Sequence, residues 1–226
     1  MNDQGDDARR AEVVAERKLG VGRLEALTDG VFAIAITLLA IEIGLPHVES
    51  ASGAALRDAI IDQWPSYAAY TVTFFLIGAY WINHHRMFRL LSGINHRFLI
   101  LNVFFLMAIA IIPFPNAVLA EYLAEPELRG VAAALYGFAM MALAIMFNLV
   151  WWYVARHPSL LRPECDVDEL TGVLRSFIFG PIAYGVGLAF SFFAPMVSLV
   201  IYLALPLGYL FEGPVKAIDA GYMEDG

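Results

Sequence analysis

Residues Phe177 to Phe211 read FIFGPIAYGVGLAFSFFAPMVSLVIYLALPLGYLF, thirty-five positions without a charged side chain. As one helix this run would be roughly 52 Å long at 1.5 Å per residue, far beyond an approximately 30 Å hydrocarbon core. It must be two spans joined by a tight turn, and Ser191-Phe-Phe-Ala-Pro195 is the best place for the break. The rest of the 226-residue chain agrees with a lipid environment. Sixty per cent of it is apolar and only 16% is charged, against about 45–50% and about 25% in ordinary globular domains. Mean hydropathy is +0.66. A chain this short cannot hide so much apolar surface from water, so part of it must face lipid.

Four further spans are expected upstream: Ala26 to Leu45, Trp64 to Ile82, Phe98 to Val118 and Val131 to Val154. The second opens on Pro65, where a helix start tolerates proline. The third carries Pro113 and Pro115 near its far end, and the fourth closes on the interfacial aromatics Trp151, Trp152 and Tyr153. The fold class is therefore an all-α integral membrane protein with six transmembrane helices. Twelve of the fourteen basic residues fall on one side of that layout, and only Arg57 and Arg129 on the other. The positive-inside rule then puts both termini in the cytoplasm. Residues 1–19 are expected to form a mobile cytoplasmic segment, 20–212 the six-helix unit and 213–226 a short cytoplasmic tail. The polar residues 1–20 contain no signal-peptide apolar region.

Composition also excludes functions. The lone Cys165 forbids an internal disulfide and any multi-cysteine metal site. A net charge of −8 argues against nucleic acid as a partner. Catalytic signatures such as HExxH, GxSxG, GxxxxGK[ST] or the kinase HRD set are missing, as is the TVGYG carbonyl filter of ordinary potassium channels. No enzyme activity and no cofactor are expected.

Ionisable and amide groups at membrane depth are costly, so they pair or line a watery path. Asp29 lies about one turn inside the first helix, with Arg23 and Thr28 on its cytoplasmic side. The second helix ends in Asn83-His84-His85-Arg86; the third begins with Asn95-His96-Arg97 and continues to Asn102. All three helix ends lie at one membrane face, so a hydrogen-bonded network of Arg23, Asp29, His84 or His85, and Asn102 is expected. The adjacent histidines point about 100° apart and are not a metal pair, and at least one is expected in a loop or at the interface. For Arg86, Arg89 and Arg97 the plainer reading is snorkelling to the headgroups.

At 3.6 residues per turn, Leu27, Ile34, Leu38 and Ile41 share a stripe of the first helix, with Thr37 beside it. In a helix bathed by lipid such a stripe means nothing, since every face is apolar. If several copies meet on an axis, the same side chains make narrow hydrophobic rings, which gate by dewetting.

Arg23-Leu-Glu-Ala-Leu-Thr-Asp-Gly-Val-Phe-Ala-Ile-Ala-Ile-Thr-Leu-Leu39 resembles the first-helix signature, R-x-x-x-F-S-D-G/A, of the endosomal–lysosomal potassium channel family and its prokaryotic relatives. Tyr80-Trp-Ile-Asn-His-His-Arg-Met-Phe88 and Pro113-Phe-Pro115 resemble that family's second and third helices. Leu27 stands where the family usually has Phe, and Thr28 where it has Ser. The resemblance implies a homotetramer with four first helices around the pore. It implies a hydrophobic constriction at Ile34, Leu38 and Ile41, with Thr37 affecting ion preference. Arg23, Thr28 and Asp29 would join His84 or His85 and Asn102 in an intracellular network. The expected function is a potassium-permeable leak-type channel of a prokaryotic plasma membrane, with modest K⁺ over Na⁺ preference. The alternative is a proton-coupled small-solute transporter using Asp29 and a histidine; a scaffold or an intramembrane enzyme rank behind both.

Overall fold

The computed structural model describes the backbone of residues 3–48, 50–165 and 167–211. The expected tail, 213–226, lies outside the described residues, as do the side chains of 1–19. Among the described residues the chain is helical throughout, with one isolated antiparallel bridge between Leu91 and Leu161 and no sheet. Its elements are α1 (Asp3–Ile41), α2 (Gly53–Asp62), α3 (Trp64–Leu90), α4 (His96–Ala110), α5 (Pro113–Tyr122), α6 (Arg129–Ala155), α7 (Val167–Phe177), α8 (Phe179–Phe190) and α9 (Pro195–Phe211), with a 3₁₀ turn at Pro158–Leu160.

Four stretches are long and apolar enough to cross a membrane: Gly20–Ile41, His96–Tyr122, Arg129–Ala155 and Leu170–Phe190. α9 contributes the shorter apolar stretch Pro195–Leu205. α3 has the length, 27 residues, but Tyr67, Tyr70, Thr71, Thr73 and Tyr80 dilute its apolar character. The protein is a multi-pass membrane protein.

Local chemistry explains the boundaries. α1 stops where Gly44 takes φ +68°, the left-handed conformation a β-carbon disfavours, and donates its N–H to Ile41. Asn95 caps α4, its Oδ1 accepting from the Phe98 N–H at 2.9 Å. The third expected span divides at Ile111-Ile112, because neither Pro113 nor Pro115 has an N–H to continue the helix. Pro181 does the same between α7 and α8. It leaves the Phe177 carbonyl without its i+4 donor, and Asn148 of α6 fills the gap with an Nδ2–H bond at 3.1 Å. The charge-free run turns at Ser191–Ala194 and restarts on Pro195, where the break was expected.

One boundary corrects the sequence reading. α3 runs to Leu90 rather than ending near Ile82, so His84 and His85 both sit on the helix. Its last turns hold because Met87, Phe88 and Leu90 are buried there, which outweighs the local polarity. The segment after the first span contains α2, capped by Ser52 accepting from the Ala55 N–H at 3.1 Å.

α6 is the central post, touching α4, α5, α7, α8 and α9, while α1 lies against α3, α4 and α5. The core is aromatic: Phe105, Phe147, Trp151 and Phe177 form a run of tilted and edge-on rings. Tyr202 of α9 lies over Gly137 of α6 and Gly187 of α8, filling the room where their side chains would be. Gly187→Val should therefore cost about 3 kcal/mol, the upper range for overfilling a full core. Thermal unfolding in detergent measures this, and an unchanged melting temperature would mean that the ring has room to move.

Candidate functional site

α1 has two faces made by its helical period. Leu24, Thr28, Phe32, Ala35 and Leu39, at spacings of three and four, are buried against the rest of the chain. The stripe expected to line a pore lies on the opposite side. Leu27 is exposed, Ile34 is 61% exposed, Ile41 70% and Leu38 38%. Ala33, Thr37 and Ala40 flank it and are also exposed. Thr37 donates its hydroxyl hydrogen to the Ile34 carbonyl at 2.9 Å, which leaves the oxygen's lone pairs facing out. The rest of the chain leaves these side chains uncovered while it buries Phe32 and Leu39 almost completely. Asymmetry of burial is the information that the uniformly apolar sequence lacked.

The expected polar network is divided by the structure. Thr28, His84 and Asn102 come together in a buried chain joining α1, α3 and α4. His84 Nε2 lies 2.9 Å from Asn102 Oδ1, Asn102 Nδ2 donates to Thr28 Oγ1 at 3.2 Å, and Thr28 donates to the Leu24 carbonyl at 2.9 Å. Each donor is spoken for in one direction. The amide oxygen only accepts, so His84 carries its hydrogen on Nε2. The imidazole stacks on Phe105 at 4.8 Å and 12°, which fixes the ring plane.

His85 is not part of this chain. It stacks on Trp81, and its Nδ1 lies 3.0 Å from Glu25 Oε1, near enough for an ion pair but off the line of a hydrogen bond. Asp29 is exposed and accepts from Trp81 Nε1 at 2.8 Å. Arg23 is exposed too, and among the described residues no polar contact joins it to the others. Trp81 is the member that sequence reasoning missed. Its position one turn before His85, facing the Glu25/Asp29 pair one turn apart on α1, was the available signal. A second buried cluster was also missed. Thr73 of α3 donates to Asn116 Oδ1 of α5 at 2.7 Å, and Tyr136 of α6 lies 2.9 Å from the Thr73 oxygen. Thr73 has one hydrogen and gives it to the amide, so Tyr136 is the donor in that pair. No group of histidine, cysteine and carboxylate side chains fit to hold a metal ion occurs among the described residues.

In this multi-pass helical membrane protein, α1 thus carries an uncovered apolar face and, on its buried side, an interhelical polar chain. Comparison with known proteins narrows the class. Residues 23–113 match the family described as endosomal/lysosomal potassium channel TMEM175. A potassium channel of Streptomyces collinus is 40% identical over 200 residues, covering 88% of this chain and 96% of that one. A potassium channel of Chamaesiphon minutus is 40% identical over 199 residues, covering 85% and 98%. The fold resembles the crystal structure of a lysosomal potassium-selective channel TMEM175 homolog from Chamaesiphon minutus. That likeness has a TM-score of 0.75 at 37% identity, over 85% of this chain and 97% of that chain. The chain belongs to the TMEM175 family, in agreement with the motifs at Arg23–Leu39, Tyr80–Phe88 and Pro113–Pro115. This is a family of channels, not of enzymes.

Proposed function

We propose that the protein is a potassium-permeable, leak-type cation channel of a prokaryotic plasma membrane, working as a homotetramer with α1 at the axis. The observation that supports this reading most directly is the uncovered stripe Ile34, Leu38 and Ile41 on a helix whose opposite face is buried. Four copies facing inward would form stacked rings of branched side chains, and a narrow apolar ring excludes water until it widens. Thr37 would supply a hydroxyl oxygen at mid-depth. Lacking a carbonyl cage, the pore would favour K⁺ over Na⁺ only modestly. No cofactor takes part; K⁺ is the cargo.

In this reading the chain crosses the membrane six times: the apolar part of α1, α3, α4 with α5, α6, α7 with α8, and α9. Both termini lie in the cytoplasm, as the distribution of Lys and Arg favours. Residues 1–19 and 213–226 would be cytoplasmic segments around the unit 20–212. The Thr28–Asn102–His84 chain would hold α1 to α3 and α4 at the intracellular end of the pore, with Arg23, Asp29 and His85 near its mouth. The rival reading, a proton-coupled transporter using Asp29 and a histidine, is less favoured because Asp29 pairs with the Trp81 indole rather than with an imidazole.

Purified protein in liposomes should release K⁺ faster than empty liposomes, and faster than it passes Na⁺ under the same driving force. Flux no greater than that of empty liposomes would overturn the channel reading. Uptake that saturates and needs a pH gradient would favour the transporter.

A further inference from the structure

Between the starts of α3, α6 and α9 and the end of α5 lies a cavity of about 310 Å³, within the size range of sites that enclose small ligands. Its walls are apolar, with Val72, Leu119, Leu199 and Leu203 among them. Trp64, the first residue of α3, and Arg129, the first of α6, mark its mouth, whereas Val72 lies two helical turns further in. The space is thus a slot running roughly 12 Å along the helices at 1.5 Å per residue.

Arg129 makes the slot chemically lopsided. Its guanidinium donates to the Leu123 and Ala124 carbonyls and to the Met196 thioether, all of them neutral. No ion pair engages it among the described residues, and Glu121, Glu125 and Glu127 of the neighbouring turn are exposed. Two neutral carbonyls and a thioether leave two of its five N–H groups and its whole positive charge for another partner. The other basic residue expected on this side, Arg57, is paired with Asp58 at 2.9 Å. An apolar slot two turns deep, parallel to membrane spans and closed at its mouth by one uncompensated guanidinium beside an exposed indole, matches one occupant in both parts.

We propose that this slot holds one acyl chain of an anionic phospholipid, with the lipid phosphate paired to Arg129. The chain replaces lipid–lipid contact with the walls of the slot, and the phosphate accepts from the free guanidinium N–H groups in a charge-assisted bond. The site does not depend on whether the protein conducts ions.

Trp64 reports on it. Reconstituted protein is titrated with phosphatidylglycerol carrying brominated acyl chains and, separately, with brominated phosphatidylcholine. Quenching of Trp64 is obtained by difference from Trp64→Phe, which retains Trp81, Trp151 and Trp152. Half-quenching is expected at about fivefold lower mole fraction of the anionic lipid, the worth of one basic side chain facing anionic headgroups. Arg129→Gln removes the preference by removing the charge. Ala69→Phe removes it by filling the slot with the charge intact, and so distinguishes a built site from attraction at the surface. Equal quenching by both lipids, a preference that survives either substitution, or a preference unchanged by Trp64→Phe overturns the proposal. Trp64 shielded from both lipids also overturns it, because a second copy of the chain then covers the mouth.

Discussion

Ile34→Asn should raise K⁺ flux through reconstituted protein about tenfold. If four isoleucines close a ring, the barrier to permeation is the cost of wetting it: K⁺ sheds hydration there with nothing to replace it. An asparagine supplies two donors and an acceptor at the same height and holds water in the ring. Removing only about 1.4 kcal/mol from the barrier yields a tenfold rate, and an amide at an apolar constriction offers at least that much. The substitution is clean because Ile34 is 61% exposed on the chain and is not part of its buried core. The melting temperature should stay near that of the parent while current rises. Flux that does not change would remove Ile34 from the permeation path, and with it the arrangement of α1 around an axis.

Asn102→Leu should produce the opposite pattern, with lower stability at nearly conserved volume. Leucine fills similar space but leaves the His84 Nε2–H without an acceptor and Thr28 without its donor, at a site with no exposure. A buried donor without a partner costs about 1–3 kcal/mol, and the second lost bond adds about 1 kcal/mol. Thr28→Val should cost less, since it preserves shape and frees Asn102 of one acceptor only. Thermal unfolding in detergent should rank the parent above Thr28→Val, and Thr28→Val above Asn102→Leu. If both melt with the parent, the Thr28–Asn102–His84 chain does not fasten α1.

The sequence made the membrane class, most spans and the family legible, each for a definite reason. A charge-free run longer than a bilayer is thick forces a turn, and the turn was found at Ser191–Ala194. Phe98 to Val118 read as one span with Pro113 and Pro115 near its far end, and nothing in that run revealed that the piece from Pro113 onward, α5, packs as a helix of its own. The end of α3 was misjudged because Asn83, His84 and Arg86 look like a helix leaving the membrane. Met87, Phe88 and Leu90 sit on the buried side, and that is visible only once α4 and the segment after α6 are in place. The choice between His84 and His85 depended on where Asn102 and Phe105 stand, which one helix cannot reveal. The uncovered face of α1 was readable as a stripe but not as a surface, since lipid-facing and protein-facing positions there are equally apolar.

The bridge between Leu91 and Leu161 has a mechanical consequence. Ser92 donates its backbone N–H to the Leu160 carbonyl and its hydroxyl to that of Leu161, while the Arg162 N–H returns to Leu90. The hinge-end of α3 and α4 is thereby clasped to the foot of α6 by main-chain bonds. α1 has no such clasp among its described residues; only side chains hold it. Within the chain, α3, α4 and α6 make a door frame, and α1 is the leaf hung on it. Swinging the leaf disturbs a few side-chain latches, whereas bending the frame would tear backbone.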